Sequence, residues 1–272
     1  MIIKSLSGID LNKFRRLRVF GCSLTHWRYP TWADILAQDI PHCDYFNLAW
    51  QGAGHQFLQA QYSQWTQQIP LDHTDLVIIQ WPTYYREDRY FNHPDRARPW
   101  ITPGNFFTQD EYPVEFMKVC NRRGFVITSL MIQDLIMRDL ERSDATALCF
   151  NAVDARHQDS YSGFSMEKHE NFSDIVSLYS IIQDRNAQFD MYVSLSKNKT
   201  NPNWPKGYQY ILDGQLEQDY HPTVAEHARF LRDVMAHDLS DEGSKWAQQQ
   251  HARIMQTESV DHIAETNMRA IL

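Results

Sequence analysis

Apolar and polar positions along the chain alternate between two kinds of segment. Four short stretches are rich in β-branched and aromatic residues, as strands are, and they cover residues 17–22, 44–49, 75–81 and 145–150. The third of them is a nearly continuous apolar run that Pro82 ends. Such a run is typical of a strand buried on both faces, so we expect it in the middle of a sheet.

Helix signals separate these strands. Thr31 with Asp34, and Thr223 with Glu226, have the spacing of a capping box, and each pair follows a proline. Helical composition also appears at residues 55–69, 111–122, 127–142 and 173–186. Strands that alternate with helices predict right-handed βαβ units. We therefore expect a three-layer α/β/α domain, flavodoxin-like in outline, with a mainly parallel central sheet.

The length of 272 residues is close to the upper size of a single hydrophobic core. We assign residues 1–238 to one α/β domain, in which residues 84–108 form a long surface excursion. Residues 239–272 read as a C-terminal helical extension. It could pack on the body of the domain or form a homo-oligomer with a second copy, because apolar residues recur on one helical face: Trp246, Ile254, Met255, Ile263 and Ile271.

Composition excludes several classes of protein. Hydrophobic residues at 43% and charged residues at 22% are unlike a disordered chain. A formal charge of −8 argues against a nucleic-acid partner, which needs a basic surface. There is no signal-peptide pattern and no run of eighteen apolar residues. We expect a soluble, cytoplasmic protein without a membrane partner.

Metal and cofactor sites are not predicted. The four cysteines lack the two-residue spacing of a zinc or redox site. The twelve histidines include no pair on one helical face of the kind that binds zinc. We expect no metal and no cofactor.

Three successive predicted strands end at residues that could meet. Ser23, Gly52 and the Pro82-Thr83 corner follow them, and the carboxyl ends of parallel strands share one edge, where ligands bind. A serine at a strand-to-helix turn has an exposed hydroxyl and can act as a nucleophile, although serines also cap helices. Late in the chain, Asp219 and His221 place an acid and a base on one turn.

In this order the motifs resemble those of the SGNH (GDSL-like) hydrolases. The segments concerned are Gly21-Cys22-Ser23-Leu24-Thr25, residues 47–54 and Asp219-Tyr220-His221-Pro222. Residues 81–87, with the pair Arg86-Glu87, are similar to divergent bacterial and phage members that carry Gly-Cys-Ser-Phe-Thr. The likeness extends in order from residue 17 to residue 231. It implies the α/β/α fold and a serine hydrolase without a cofactor.

The resemblance implies a role for each matched residue. Ser23 would be the nucleophile, His221 the general base, and Asp219 the acid that orients the imidazole. In the commoner form of the family the acid stands three residues before the histidine, where this chain has Gln218; Asp213 is a second candidate.

The oxyanion would be held by the amides of Ser23 and Gly52 and by a third donor. The family carries an asparagine in a third block of its motif, after the third strand. In this chain the third block is Gln80-Trp81-Pro82-Thr83, which has no asparagine, so Thr83 or Gln80 would have to replace it.

Further positions are candidates for substrate binding: His26, Trp81, Tyr84 and Arg86. Each has a structural alternative. The aromatic rings could close a core beneath the excursion. Arg86 could pair with Glu87 instead of contacting an anionic sugar, and His26 could be an exposed residue beside a helix.

The predicted function is a serine esterase that acts on a small acyl ester of a carbohydrate or similar polar substrate. The alternatives are an inactive carbohydrate-binding protein with this fold and an O-acyltransferase that uses the same residues.

Overall fold

A parallel sheet of five strands forms the centre of the computed structural model. The structure describes residues 1–90, 100–102, 104, 114–120, 122–152, 181–187, 208–212, 215–219 and 221–256. The strands are β1 (Ile2–Ile3), β2 (Arg16–Phe20), β3 (Asp44–Asn47), β4 (Asp75–Trp81), β5 (Arg89–Tyr90), β6 (Trp100–Ile101), β7 (Thr146–Asn151), β8 (Gln209–Leu212) and β9 (Gln215–Gln218). The central sheet has the order β1-β7-β4-β2-β3, and all its neighbours are parallel.

Helices cover both faces of this sheet. They are α1 (Trp32–Asp39), α2 (His55–Gln68), α3 (Val114–Val119), α4 (Arg122–Arg142), α5 (Val224–Asp233) and α6 (Asp241–Met255), with a short 3-10 helix at Leu11–Lys13 and helical residues at 181–185. Side chains of a strand alternate between the two faces. In β4, Leu76 and Ile78 pack in a core with α1, α5 and α6, whereas Val77 and Ile79 pack in a second core with α2 and α4. This is the predicted three-layer α/β/α fold.

The long apolar run was correctly predicted as a central strand. Every residue of β4 is buried, and the strand pairs with β2 on one side and β7 on the other. The capping boxes at Thr31 and Thr223 are also present, at the starts of α1 and α5. These features depend on residues close in sequence, which is why the sequence reveals them.

Some elements differ from the prediction. α4 runs without a break from Arg122 to Arg142, so the predicted helix boundary between residues 122 and 127 is wrong. β1 was not predicted because two residues are too few for a strand pattern. β8 and β9 form an antiparallel hairpin in a region where the sequence pattern is weak. In the predicted excursion at 84–108, the described residues include the short antiparallel pair β5–β6.

The C-terminal helix α6 packs against the α/β body. Ala247 and Ile254 are buried in the same core as residues of α1 and α5, and Trp246 packs against that core. Met255 is 56% exposed, so it does not share the buried face. Ile263 and Ile271 lie outside the described residues. Of the helices described, none is both long and apolar enough to cross a membrane.

Candidate active site

A tight turn after β2 carries Ser23. The amides of Thr25 and His26 both donate to the Cys22 carbonyl, at 2.9 and 3.0 Å, and Ser23 is the first residue of the loop they close. Gln80 of β4 anchors this turn, because its Oε1 accepts from the Cys22 amide at 3.3 Å and from Thr25 Oγ1 at 3.0 Å. Ser23 is 8% exposed at the carboxyl edge of the sheet.

Gly52 lies in the neighbouring turn, after β3. Its φ of +73° belongs to the left-handed region, and a Cβ built there would be 2.0 Å from the Thr102 carbonyl oxygen. Only glycine fits such a position without strain. The Trp50 amide donates to the Gly21 carbonyl at 3.3 Å, which joins this turn to the Ser23 turn.

Two backbone donors in these turns are unused. Within the described part of the chain, the amides of Ser23 and Gly52 donate no hydrogen bond. Free amides in neighbouring turns at one edge of a sheet are suited to bind an anionic oxygen.

Asp219 and His221 form a hydrogen-bonded pair. Oδ1 of Asp219 accepts from the His221 backbone amide at 2.9 Å and lies 2.8 Å from His221 Nδ1. An acid two residues before the histidine can therefore hold both its amide and its ring, as aspartates in Asx turns hold the backbone two residues on. Burial alone would raise the pKa of Asp219, but the hydrogen bonds from His221 and Trp27 outweigh burial and lower it.

Trp27 contacts both members of this pair. Its Nε1 donates to Asp219 Oδ2 at 2.6 Å, and its ring stacks on the imidazole of His221 with 3.6 Å between ring centroids and 23° between the ring planes. The sequence carries no signal for a role of Trp27, because nothing in the local pattern distinguishes this tryptophan from one in the core.

No hydrogen bond joins the Ser23 hydroxyl to the imidazole of His221, although both are described residues. Trp27, four residues after Ser23, links the serine turn to the acid–histidine pair. The second acid candidate, Asp213, lies outside the described residues.

The third-block candidates are both engaged in hydrogen bonds. Gln80 Nε2 donates one of its two protons to the Trp81 carbonyl at 2.8 Å, while its oxygen holds the Ser23 turn. Thr83 Oγ1 accepts from Arg86 Nε at 3.0 Å, which leaves its own hydroxyl proton for another acceptor.

Arg86 ties the third block to the Gly52 turn. Its Nη1 donates to the Ala53 carbonyl at 2.8 Å. The predicted Arg86–Glu87 pair is not formed, because Glu87 pairs with Arg89 instead. Arg86 also lines a cavity of about 160 Å³ together with His55 and Ser129.

Asp88 closes the N-terminus of α2. Its carboxylate accepts from the amides of Gly54, at 2.8 Å, and Phe57, also at 2.8 Å. Burial raises the pKa of Asp88 to about 6, and these two amide donors oppose the shift.

Trp81 and Tyr84 are buried in this structure. Both are at most 1% exposed, and Trp81 Nε1 donates to Asn186 Oδ1 at 2.9 Å. They share a core with residues of α2 and α4, which supports the structural alternative for both. His26 is half-buried and stacks on Trp50, with centroids 5.8 Å apart.

Two histidines outside the pair are buried and uncharged. Burial lowers the pKa of His55 to about 3, with a smaller effect from Arg86. It also lowers the pKa of His227 to about 3, with a smaller effect from His221. The described residues contain no cluster of three or more His, Cys, Asp or Glu that could hold a metal ion.

Comparisons with known proteins identify structural relatives only. No family model matches the chain, and no curated protein matches its sequence. Its structure is similar to that of a lipolytic protein of the G-D-S-L family from Veillonella parvula, with 11% identity, a TM-score of 0.43, and coverage of 81% of this chain and 96% of that one. It is also similar to protein YxiM from Bacillus subtilis, with 12% identity, a TM-score of 0.38, and coverage of 68% of this chain and 46% of that one.

Proposed function

We propose that this protein is a serine esterase or acyl hydrolase that cleaves a small acyl ester, with a carbohydrate or similar polar molecule as the alcohol part. The observation that carries the proposal is the Asp219–His221 pair, held by Trp27 beside the turn that bears Ser23. A hydroxyl, an imidazole and a carboxylate in this order are the groups that acyl transfer through a serine requires.

The proposed reaction has two steps. In the first, Ser23 Oγ bonds to the ester carbonyl carbon while its proton passes to His221 Nε2, and the C–O bond then breaks as His221 returns the proton to the leaving alcohol. In the second, water loses a proton to His221 and attacks the acyl-Ser23 carbonyl. The bond between Ser23 Oγ and the acyl carbon then breaks as His221 returns the proton to Ser23 Oγ, which releases the carboxylic acid. Asp219 keeps Nδ1 protonated and stabilises the imidazolium formed in each step.

The free amides of Ser23 and Gly52 would bind the oxyanion of each tetrahedral intermediate. The hydroxyl of Thr83 is the proposed third donor, replacing the asparagine that the third block lacks. Loss of one such donor typically lowers turnover about 10²–10³-fold. Catalytic contacts that are long without substrate often shorten when it binds, which accommodates the missing Ser23–His221 hydrogen bond.

The test compares Ser23→Ala with the wild-type protein in p-nitrophenyl acetate hydrolysis and in labelling by a fluorophosphonate probe. We expect Ser23→Ala to lose about 10³-fold or more in kcat, as nucleophile removal does, and to resist the probe. Ser7→Ala is the control, because Ser7 is exposed and far from the site in sequence. Equal rates in wild type and Ser23→Ala would remove Ser23 from the reaction.

One observation favours a second candidate, a binding protein without catalysis. Gln80 occupies the third block and has both polar atoms engaged in holding the serine turn. A protein of this kind would leave the probe unreacted and would bind members of an oligosaccharide panel. An O-acyltransferase would instead react with the probe and transfer the acyl group to an added sugar faster than to water.

A further inference from the structure

We infer that Trp27 is a positioning residue for the Asp219–His221 pair: its indole N–H fixes the carboxylate, and its ring fixes the imidazole, relative to the turn that carries Ser23. This inference rests on the proposed function, because a positioning role has meaning only if the pair acts on Ser23. None of the sequence motifs described above contains Trp27.

The hydrogen bond acts on the oxygen that His221 leaves free. Oδ1 of Asp219 accepts both hydrogen bonds from His221. If these were the carboxylate's only hydrogen bonds, the carboxylate could still rotate and move Oδ2. Trp27 Nε1 holds Oδ2 at 2.6 Å, a short distance for a charge-assisted hydrogen bond. Anchored at both oxygens, the carboxylate keeps its plane and faces His221 Nδ1.

The orientation of Asp219 determines which nitrogen of His221 is basic. A carboxylate accepts a hydrogen bond and cannot donate one when ionised, so Nδ1 must carry the proton. The lone pair is then on Nε2, the nitrogen that would take the proton of Ser23. Since Trp27 keeps Asp219 in place, it acts on the reaction through Asp219.

The stacking contact acts on the imidazole itself. With 3.6 Å between centroids and 23° between planes, the indole covers one face of the His221 ring. Rotation of the imidazole about its bond to Cβ would break this contact, so the stacking holds the direction of Nε2. An aromatic face also attracts a cation, which favours the imidazolium that forms when Ser23 loses its proton.

The position of Trp27 is itself determined by the serine turn. The Thr25 carbonyl accepts from Thr31 Oγ1 at 2.7 Å and from Asn47 Nδ2 at 3.0 Å, which ties residues 23–27 to α1 and β3. Trp27 and Asp219 are 192 positions apart in the chain. The side chain of Trp27 therefore fixes Asp219 and His221 relative to the turn that carries Ser23.

Trp27→Phe tests the hydrogen bond and keeps an aromatic ring for stacking. We expect kcat to fall about 10–100-fold, as the loss of a hydrogen bond to a charged group does, with little change in KM. Trp27→Leu, which also lacks the ring, should lose more.

Trp246→Phe is the matched control, because Trp246 is a half-buried tryptophan on α6. It should leave kcat and KM unchanged. If Trp27→Phe gives the same kcat as Trp246→Phe, the positioning role is overturned and Trp27 serves folding alone.

A second measurement does not depend on activity. The proton on Nδ1 of His221 should give a downfield proton NMR signal that shifts or disappears in Trp27→Phe and stays in place in Trp246→Phe. An unchanged signal in Trp27→Phe overturns the inference even if Trp27→Leu fails to fold. If Ser23→Ala retains full activity while this signal responds to Trp27→Phe, the proposed function fails and the structural coupling stands.

Discussion

The geometry of the turn after β3, whose Gly52 amide is a proposed oxyanion donor, depends on a single glycine. Its φ of +73° places the amide of this turn beside the Ser23 turn, and the Thr102 carbonyl packs where a side chain would begin. A left-handed backbone costs other residues about 1–2 kcal/mol. The turn therefore needs glycine both for its backbone conformation and for the space that Thr102 occupies.

Gly52→Ala should destabilise the protein by at least about 1 kcal/mol, from the backbone conformation alone. Esterase activity should also fall, because relief of the contact with Thr102 moves the Gly52 amide. The control is Gly124→Ala, in α4, where an added Cβ meets nothing within 4 Å. That substitution should stabilise the protein by up to about 1 kcal/mol. Urea unfolding measures both variants, and equal midpoints for the two would contradict the explanation.

At the scale of elements, Asp39 joins helix α1 to helix α6. Its carboxylate accepts from the Ser240 amide at 2.9 Å, from the Ser240 hydroxyl, and from His237 Nε2 at 2.7 Å. Gly243 leaves room for this carboxylate, since a Cβ there would be 2.4 Å from Asp39 Oδ1. Burial alone would raise the pKa of Asp39, but the hydrogen bonds from His237 and Ser240 outweigh burial and lower it.

A lowered pKa in the folded state makes the contribution of Asp39 depend on pH. The unfolded pKa is near 3.8, so the stabilisation is complete above that pH and is lost as the pH falls through the lower folded value. Asp39→Asn should cost about 1–3 kcal/mol at pH 7 and should lose less stability than the wild type on acidification. Urea unfolding at pH 7 and in acid measures this. Exposed Asp44, changed to Asn, is the control, and the same cost there would contradict the assignment.

At the scale of the whole molecule, the candidate site and a buried network of ion pairs lie at opposite ends of the parallel strands. Asp75 begins β4 and is fully buried; it accepts from Arg18 Nε at 2.9 Å and from Arg16 Nε at 2.8 Å. Arg18 Nη1 also donates to the Ile69 carbonyl at 2.6 Å. These contacts join β2 and β4 at their amino ends, whereas Ser23 follows the carboxyl end of β2. A substitution in these ion pairs should therefore change the stability of the fold without changing the candidate site.

Asp75→Asn should lower the free energy of unfolding by about 3–5 kcal/mol, because it leaves the Arg18 guanidinium buried without its counter-charge. The kcat of the folded fraction should not change. Asp233→Asn is the control: Asp233 forms an exposed pair with Arg232, and such pairs contribute about 0–1 kcal/mol. Chemical denaturation measures both variants. A small loss in Asp75→Asn would show that the network is not a main source of stability.

Structural features that depend on neighbouring residues can be predicted from this sequence, whereas features that depend on residues distant in the chain cannot. β4 and the capping boxes at Thr31 and Thr223 were found because their signals lie within a few neighbouring residues. β1 was missed because only its pairing with β7 makes it a strand. The burial of Trp81 and Tyr84 depends on the helices that cover them, so the same aromatic residues could be read as substrate contacts.

The layered α/β architecture follows from the sequence alone, because the period of apolar positions and the helix caps are local properties. The sequence also supplied Ser23, Gly52, Asp219 and His221 as candidates, through the order of their motifs. Two further contacts appear only in the folded molecule: Gln80 supports the serine turn, and Trp27 joins that turn to the Asp219–His221 pair. The reason is physical: hydrogen bonds and ring contacts between residues far apart in sequence exist only once the sheet has brought the carboxyl ends of its strands together.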